Sequence, residues 1–294
     1  MSSDLTLSLT DTARQYLSEP QASLLGGILF GGPSHLPKDL VEALRTTGTL
    51  HVVAVSGQNM SILAGMVGSV GRFLGWRISL VFQGLALVGY IWLVGGGASV
   101  IRSGLMALIS LLAVSTGRQY DAARALAIVG VSMAALHPDY LSDVGWQLSV
   151  AATAGIIWLS PLIQARLDRY SKPLSSIVSV SLAAQLVTWP IIAANFGMVS
   201  LIGVLANAVV EWAVPWIMAL GALSLLIGQL AFGLGQVLSW LVLVPLTYFV
   251  GVVKLLAQFP FAKFDLAGLP MGVVVIYYTL VVGLSWKWQP RKAS

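Results

Sequence analysis

From His51 to Gly71 the chain runs for more than twenty residues without a charge. That length is enough to cross the roughly 30 Å hydrocarbon core of a bilayer. Lipid offers the backbone no hydrogen-bond partner, so such a run must be a helix or a strand of a closed barrel. Runs of this kind recur to the C-terminus, and they alternate too weakly for barrel strands. The first half of the run, His51-Val52-Val53-Ala54-Val55-Ser56-Gly57-Gln58-Asn59, carries four polar side chains. Each needs a protein or water partner. The segment is therefore expected to face other helices or a wet path.

Composition extends this reading to the whole chain. Hydrophobic residues make up 57% and charged residues 9%, against roughly 25% charged in soluble domains. Mean hydropathy is +0.87. The expected fold is an all-α polytopic membrane protein with about nine transmembrane helices and an N-terminal amphipathic or re-entrant region. There are no cysteines, which excludes disulfides, thiolate metal sites and cysteine nucleophiles. The polar start Met1-Ser2-Ser3-Asp4 lacks a basic region ahead of an apolar core, so no cleavable leader is expected.

The net charge of +5 admits two explanations, a nucleic-acid surface or topology. Ten of the sixteen basic residues fall in four places: Arg72 and Arg77; Arg118 and Arg124; Arg166, Arg169 and Lys172; Lys287, Arg291 and Lys292. Cytoplasmic loops collect such residues, and topology alone accounts for them.

In residues 1–20, Leu5, Leu7 and Leu9 alternate with polar residues, which predicts a short strand or extended piece. Residues 21–33 are apolar but too few to span, which suits a re-entrant or interfacial segment. Pro37 opens an amphipathic helix, with Leu40, Val41 and Leu44 opposite Lys38, Glu42 and Arg45. Crossings are expected at about 51–71, 77–97, 99–117, 122–137, 144–160, 174–194, 200–227, 230–252 and 269–287. Placing Arg72 and Arg77 inside puts the N-terminus outside and the C-terminus in the cytoplasm. Lys254 and Lys263 then lie outside, against the rule. No internal repeat stands out.

Several residues are costly to place in a bilayer. Arg102 stays charged at any depth and is either an interfacial anchor, a structural ion pair or a polyanion contact in a wet path. Glu211, beside Trp212, shares a helix face with Asn207, and Pro215 lies four residues on. The pattern fits a packing hydrogen bond or a transport role. Asp143 is placed to cap a helix containing Trp146, Gln147 and Ser149. Asp121 can pair with Arg118 or Arg124. Glycines at packing intervals (Gly27/Gly31, Gly155 after Ala151, and Gly221/Gly228/Gly235) permit close helix contact. His35, His51 and His137 are scattered without ligand spacing, so no metal site is expected. No phosphate-binding loop, dinucleotide fingerprint, nucleophile elbow or H-E-x-x-H occurs, and neither enzymatic activity nor a cofactor is expected.

The segment His51–Met60 resembles the H-L-x-A-V-S-G-x-[HN] signature of the ComEC competence family. Further matches follow in the family's order. Arg102-Ser103-Gly104-Leu105-Met106-Ala107 resembles R-A-x-x-M-A, and Gly117-Arg118-Gln119-Tyr120-Asp121 resembles G-R-x-x-D. The stretch from His137 to Ser149 resembles D-P-x-x-L-x-D-x-G-F-Q-L-S, and Asn207 with Pro215 resembles a later N-x-x-x-x-P element. The departures, Ser103 for Ala, Trp146 for Phe and Asn59 where His is frequent, preserve size or polarity. The resemblance covers about residues 20–250. It implies an inner-membrane channel passing single-stranded DNA into the cytoplasm during natural transformation. Full-length family members usually add an OB-like domain and a nuclease domain. The match is to the membrane domain alone, so nuclease activity is not carried over.

On this reading residues 1–50 form an extracytoplasmic or interfacial segment, 51–288 the transmembrane channel domain, and 289–294 a short cytoplasmic tail. Candidates to line the DNA path are His51, Ser56, Gly57, Asn59, Arg102, Asp143, Trp146, Gln147, Gln185, Asn207, Glu211 and Trp212. Implied partners are single-stranded DNA, the lipid bilayer, a separate DNA receptor, a nuclease and a cytoplasmic ATPase, with self-association as an option. The competing reading is a proton-coupled small-solute secondary transporter using Glu211 and Arg102.

Overall fold

Long apolar runs can satisfy their backbones in lipid only as helices, and the computed structural model describes fourteen of them within residues 2–32, 36–169, 172–266 and 270–288. The N-terminal elements are α1 (Ser2–Tyr16), α2 (Gln21–Phe30) and α3 (Lys38–Thr46). Then come α4 (Gly57–Gly71), α5 (Trp76–Val94), α6 (Ala98–Ser115) and α7 (Ala122–Leu136). The C-terminal half holds α8 (Val144–Trp158), α9 (Ser160–Leu167), α10 (Lys172–Phe196), α11 (Gly203–Val210), α12 (Ala213–Gly228), α13 (Phe232–Ala257) and α14 (Met271–Trp288). An antiparallel ribbon pairs β1 (Met198–Ser200) with β2 (Lys263–Asp265), Val199 opposite Phe264.

Each expected crossing is helical over most of its length. By length and composition α5, α6, the described part of α10 and α13 can each cross a membrane, and the bent pairs α8–α9 and α11–α12 raise the number to six. Proline places both bends. Pro161 and Pro215 have no N–H to donate, and their rings crowd the carbonyl four residues back. The axes turn by 45° at the first break and 46° at the second.

Two expectations need correction. Residues 2–16 are helical, not extended. The stripe that counts is Leu9, Ala13, Tyr16 and Leu17, buried at helical spacing, whereas Leu5 and Leu7 of the alternating set are exposed. The run from His51 is not one helix either. Leu50–Val52 form a 3₁₀ turn, and helix α4 starts only at Gly57.

The surface is as informative as the core. Val81, Leu85, Val88, Leu226, Trp240 and Val244 are all more than half exposed, as lipid-facing side chains of a multi-pass membrane protein are. The main apolar core joins α1, α2, α3, α12 and α13. Lesser clusters join α4, α5 and α6, and α6, α7 and α8. Contacts close a circuit: α4 on α6, α6 on α8, α8 on α10, α10 on α11, α11 on α13, α13 on α12, and α12 on α4. Close approach relies on small residues. At Gly155 a Cβ would stand 2.6 Å from the Ala183 carbonyl oxygen, so α8 and α10 touch through glycine.

Helix α3 lies against α13 through its apolar face. Its acids pair with two lysines from the C-terminal part of the chain: Lys254 Nζ is 2.7 Å from Asp39 Oδ2, and Lys263 Nζ is 2.8 Å from Glu42 Oε1.

Candidate functional site

The start of α4 is tied to the end of α2. A helix leaves its last carbonyls without intrahelical donors. Those of α2 are met from neighbouring helices: Asn59 Nδ2 donates to the Ile28 carbonyl at 3.0 Å, and Tyr90 Oη donates to that of Leu29 at 2.8 Å. Asn59 is 1% exposed. Ser56 Oγ reaches Asn59 Oδ1 at 3.5 Å. His51 stands apart, exposed, with Nδ1 3.0 Å from the Gly48 carbonyl oxygen.

Arg102 lies just over one turn into α6. Gly95 (φ 88°) and Gly96 (φ 66°) take left-handed backbone to turn the chain sharply from α5 into α6. That turn sets the guanidinium against α8. Arg102 is 3% exposed. Its Nε and Nη2 donate to Ser149 Oγ at 2.9 and 2.6 Å, and Nη1 donates to Met106 Sδ at 3.0 Å. A guanidinium has five N–H donors, so two remain without a partner among the described residues. No carboxylate of the described residues makes an ion pair with it. A buried cation normally has a counter-charge, because its desolvation costs several kcal/mol. Arg102 also lines a cavity of about 400 Å³, together with Gly57, Ser61, Gln83, Ser103, Ser110, Tyr120 and Thr153, among others. That volume is in the ligand-binding range of roughly 300–1,000 Å³. A second cavity, about 310 Å³, lies beside it along α4.

Of the residues expected from the sequence, Arg102 and Gly57 meet at this cavity. Asp143 caps α8, its Oδ1 accepting from Trp146 N at 2.6 Å. Gln147 folds back, its Nε2 donating to the Leu141 carbonyl at 2.7 Å. Trp146 packs into the α6–α8 cluster with its indole N–H buried and without a partner among the described residues. Gln185 and Asn207 form a separate group between α10 and α11. Gln185 Nε2 donates to Ser200 O at 2.7 Å and Asn207 Nδ2 to Ser181 Oγ at 3.0 Å. Both amide oxygens are buried without a donor among the described residues. Glu211 stands at the α11–α12 break, its carboxylate without a partner among the described residues. Trp212 is 54% exposed and donates to Tyr248 Oη at 3.3 Å.

Sequence reasoning did not single out Ser61, Gln83, Ser110, Tyr120 or Thr153. One signal was available: Ser61, Gly65, Gly68, Ser69 and Arg72 share one face of α4, a stripe of small and polar residues ending in a cation.

A family model described as "Competence protein" matches residues 28–291. ComE operon protein 3 of Bacillus subtilis (strain 168) is 26% identical over 194 residues, 65% of this chain and 24% of that protein. The uncharacterized protein YcaI of Escherichia coli (strain K12) is 26% identical over 213 residues, 68% of this chain and 28% of that protein. The chain thus spans about a quarter of the length of these relatives. No solved structure matches significantly.

Proposed function

The chain belongs to the competence protein family, and on that footing we propose that it conducts single-stranded DNA across the bacterial inner membrane during natural transformation. One observation carries the reading: Arg102, buried and without a carboxylate partner among the described residues, keeps spare N–H donors and lines a cavity large enough for a ligand. A single strand carries a negative charge on every phosphate, and lipid rejects it, so it needs a hydrated, positively lined conduit. Guanidinium donors suit phosphate oxygens. Hydroxyls and amides around Arg102 replace water without selecting a base, which suits transfer of any sequence. A sparse set of cations favours release over retention. The N-terminus lies outside, Arg72 faces the cytoplasm, and residues 51–288 form the channel domain. This route calls for DNA capture outside the membrane, strand degradation and an ATP-driven pull from the cytoplasm in addition to the conduit. No protein group is asked to break a covalent bond.

In the organism that encodes the chain, Arg102→Ala is expected to cut internalised labelled single strands by on the order of ten- to a hundredfold. That is the scale of losing charge-assisted hydrogen bonds worth about 1.5–3 kcal/mol. Arg102→Lys keeps the charge and loses the fork, so it recovers part of the uptake. Normal uptake by Arg102→Ala protein present at wild-type level in the membrane would remove this site from the route.

A second reading, a proton-coupled solute transporter, draws on the Glu211 carboxylate, without a partner among the described residues, at the broken α11–α12 span. Glu211→Gln separates the two. Unchanged growth on solutes with unchanged strand uptake supports the DNA conduit, whereas loss of growth on a transported solute with intact transformation supports the transporter.

A further inference from the structure

The cavity at Arg102 does not stand alone. It and the second cavity share Ala64, Gly65 and Gln83, so they form two chambers of one groove bounded by α4, α5 and α6. The groove follows α4 from Gly57 to Arg72. At 1.5 Å per residue that is about 22 Å, most of the roughly 30 Å hydrocarbon thickness. Among the described residues no carboxylate lines either chamber. Arg102 borders one end and Arg72 the other, and Arg72 has no ion-pair partner among the described residues. At the Arg72 end the lining includes Trp76, whose side chain is 57% exposed. The Arg77 guanidinium lies 5.3 Å from the Trp76 ring centroid.

Resting on the proposal that single strands pass through this chain, we infer that the strand follows this groove and that Arg72 and Trp76 form its second station, a phosphate contact beside a base-stacking ring. A cation next to an exposed aromatic face is the pairing that holds single strands without reading sequence. Small side chains on the α4 stripe keep the floor of the groove low between the stations. Gln83 lines both chambers and marks their junction. Its Nε2 donates to Ser79 O at 3.2 Å and to Ser79 Oγ at 3.1 Å. Opposite it, a Cβ at Gly68 would stand 3.0 Å from the Gln83 amide, so a side chain there would narrow the junction. The same Arg–Trp pairing at a membrane surface also suits a lipid phosphate, and the experiment is arranged to tell the two apart.

The chain has no cysteine, so single cysteines can be placed at Ser61 in the first chamber, at Ser69 in the second, and at Leu85 on the exposed face of α5. Each full-length variant is put into phosphatidylcholine vesicles and treated with a charged, membrane-impermeant thiol reagent, with and without oligothymidylate. Ser61→Cys and Ser69→Cys are expected to react, Leu85→Cys to stay silent, and oligothymidylate to slow both reactive sites by on the order of tenfold. Adding Arg72→Gln and Trp76→Ala should abolish protection at Ser69→Cys and leave it at Ser61→Cys, which also reports that the protein is folded. Protection at Ser61→Cys without protection at Ser69→Cys overturns this route while the DNA reading stands. Absence of protection at both sites overturns both. Protection of Ser69→Cys by phosphatidylglycerol vesicles without oligonucleotide, equal to that by the strand, makes this a lipid site and overturns the inference.

Discussion

At the scale of single residues, partners decide function more than identity does. Asn59 lies in the stretch that most resembles a known motif, yet its amide is spent on the carbonyl end of α2. Asn59→Leu keeps the volume and strands the buried Ile28 carbonyl. It is expected to cost about 1–3 kcal/mol, seen as a lower unfolding temperature in detergent. Unchanged unfolding would mean that another donor replaces the amide. Local partnerships were legible in the sequence. Asp143 caps three residues on, because capping geometry is fixed by spacing, and Asp121 Oδ2 pairs with Arg124 Nε at 3.0 Å. Asn59 and Ile28 are 31 residues apart, and Arg102 and Ser149 are 47 apart. No local rule sees such pairs.

At the scale of elements, long apolar runs marked the helices and Pro215 marked one of the two breaks, while the break at Pro161 went unread and the N-terminus misled because a short leucine alternation competed with a longer helical stripe. The docking of α3 on α13 gives a pH prediction. Hydrogen bonds from Lys254 and Lys263 hold the Asp39 and Glu42 carboxyls below their usual 3.8 and 4.5. The partnership holds Lys263 above its usual 10.5. A depressed carboxylate stabilises the contact above its unfolded value, and that contribution is lost as pH falls through the folded value. The raised lysine contributes below its unfolded value, and that contribution is lost as pH rises through its folded value. The dock is therefore expected to hold from about pH 5 to pH 10 and to loosen below about pH 4. Hydrogen exchange at Leu40 and Leu44, corrected for intrinsic rates, would show it. Flat protection down to pH 3 would mean that the apolar face alone carries the contact. These exposed pairs add little energy, so the loosening is expected to be modest.

At the scale of the whole molecule, the site is a matter of register among α4, α5, α6 and α8. Hydropathy gives each helix its existence, not its rotation against its neighbours. The sequence therefore marks Arg102 as costly without showing that it looks into a cavity, and it leaves Ser61, Gln83 and Thr153 unremarked. His51 and Trp212, polar or aromatic and thus suspect in a bilayer, stand instead at exposed positions. On the proposed route a DNA strand passes through this protein past Arg102. The most direct measurement is photocrosslinking of a 4-thiothymidine-substituted strand during uptake, with the crosslinked peptides mapped. Adducts are expected within Gly57–Gly71 and Ala98–Ser115, weakened by Arg102→Ala. Adducts confined to other parts of the chain, with uptake intact, would contradict it.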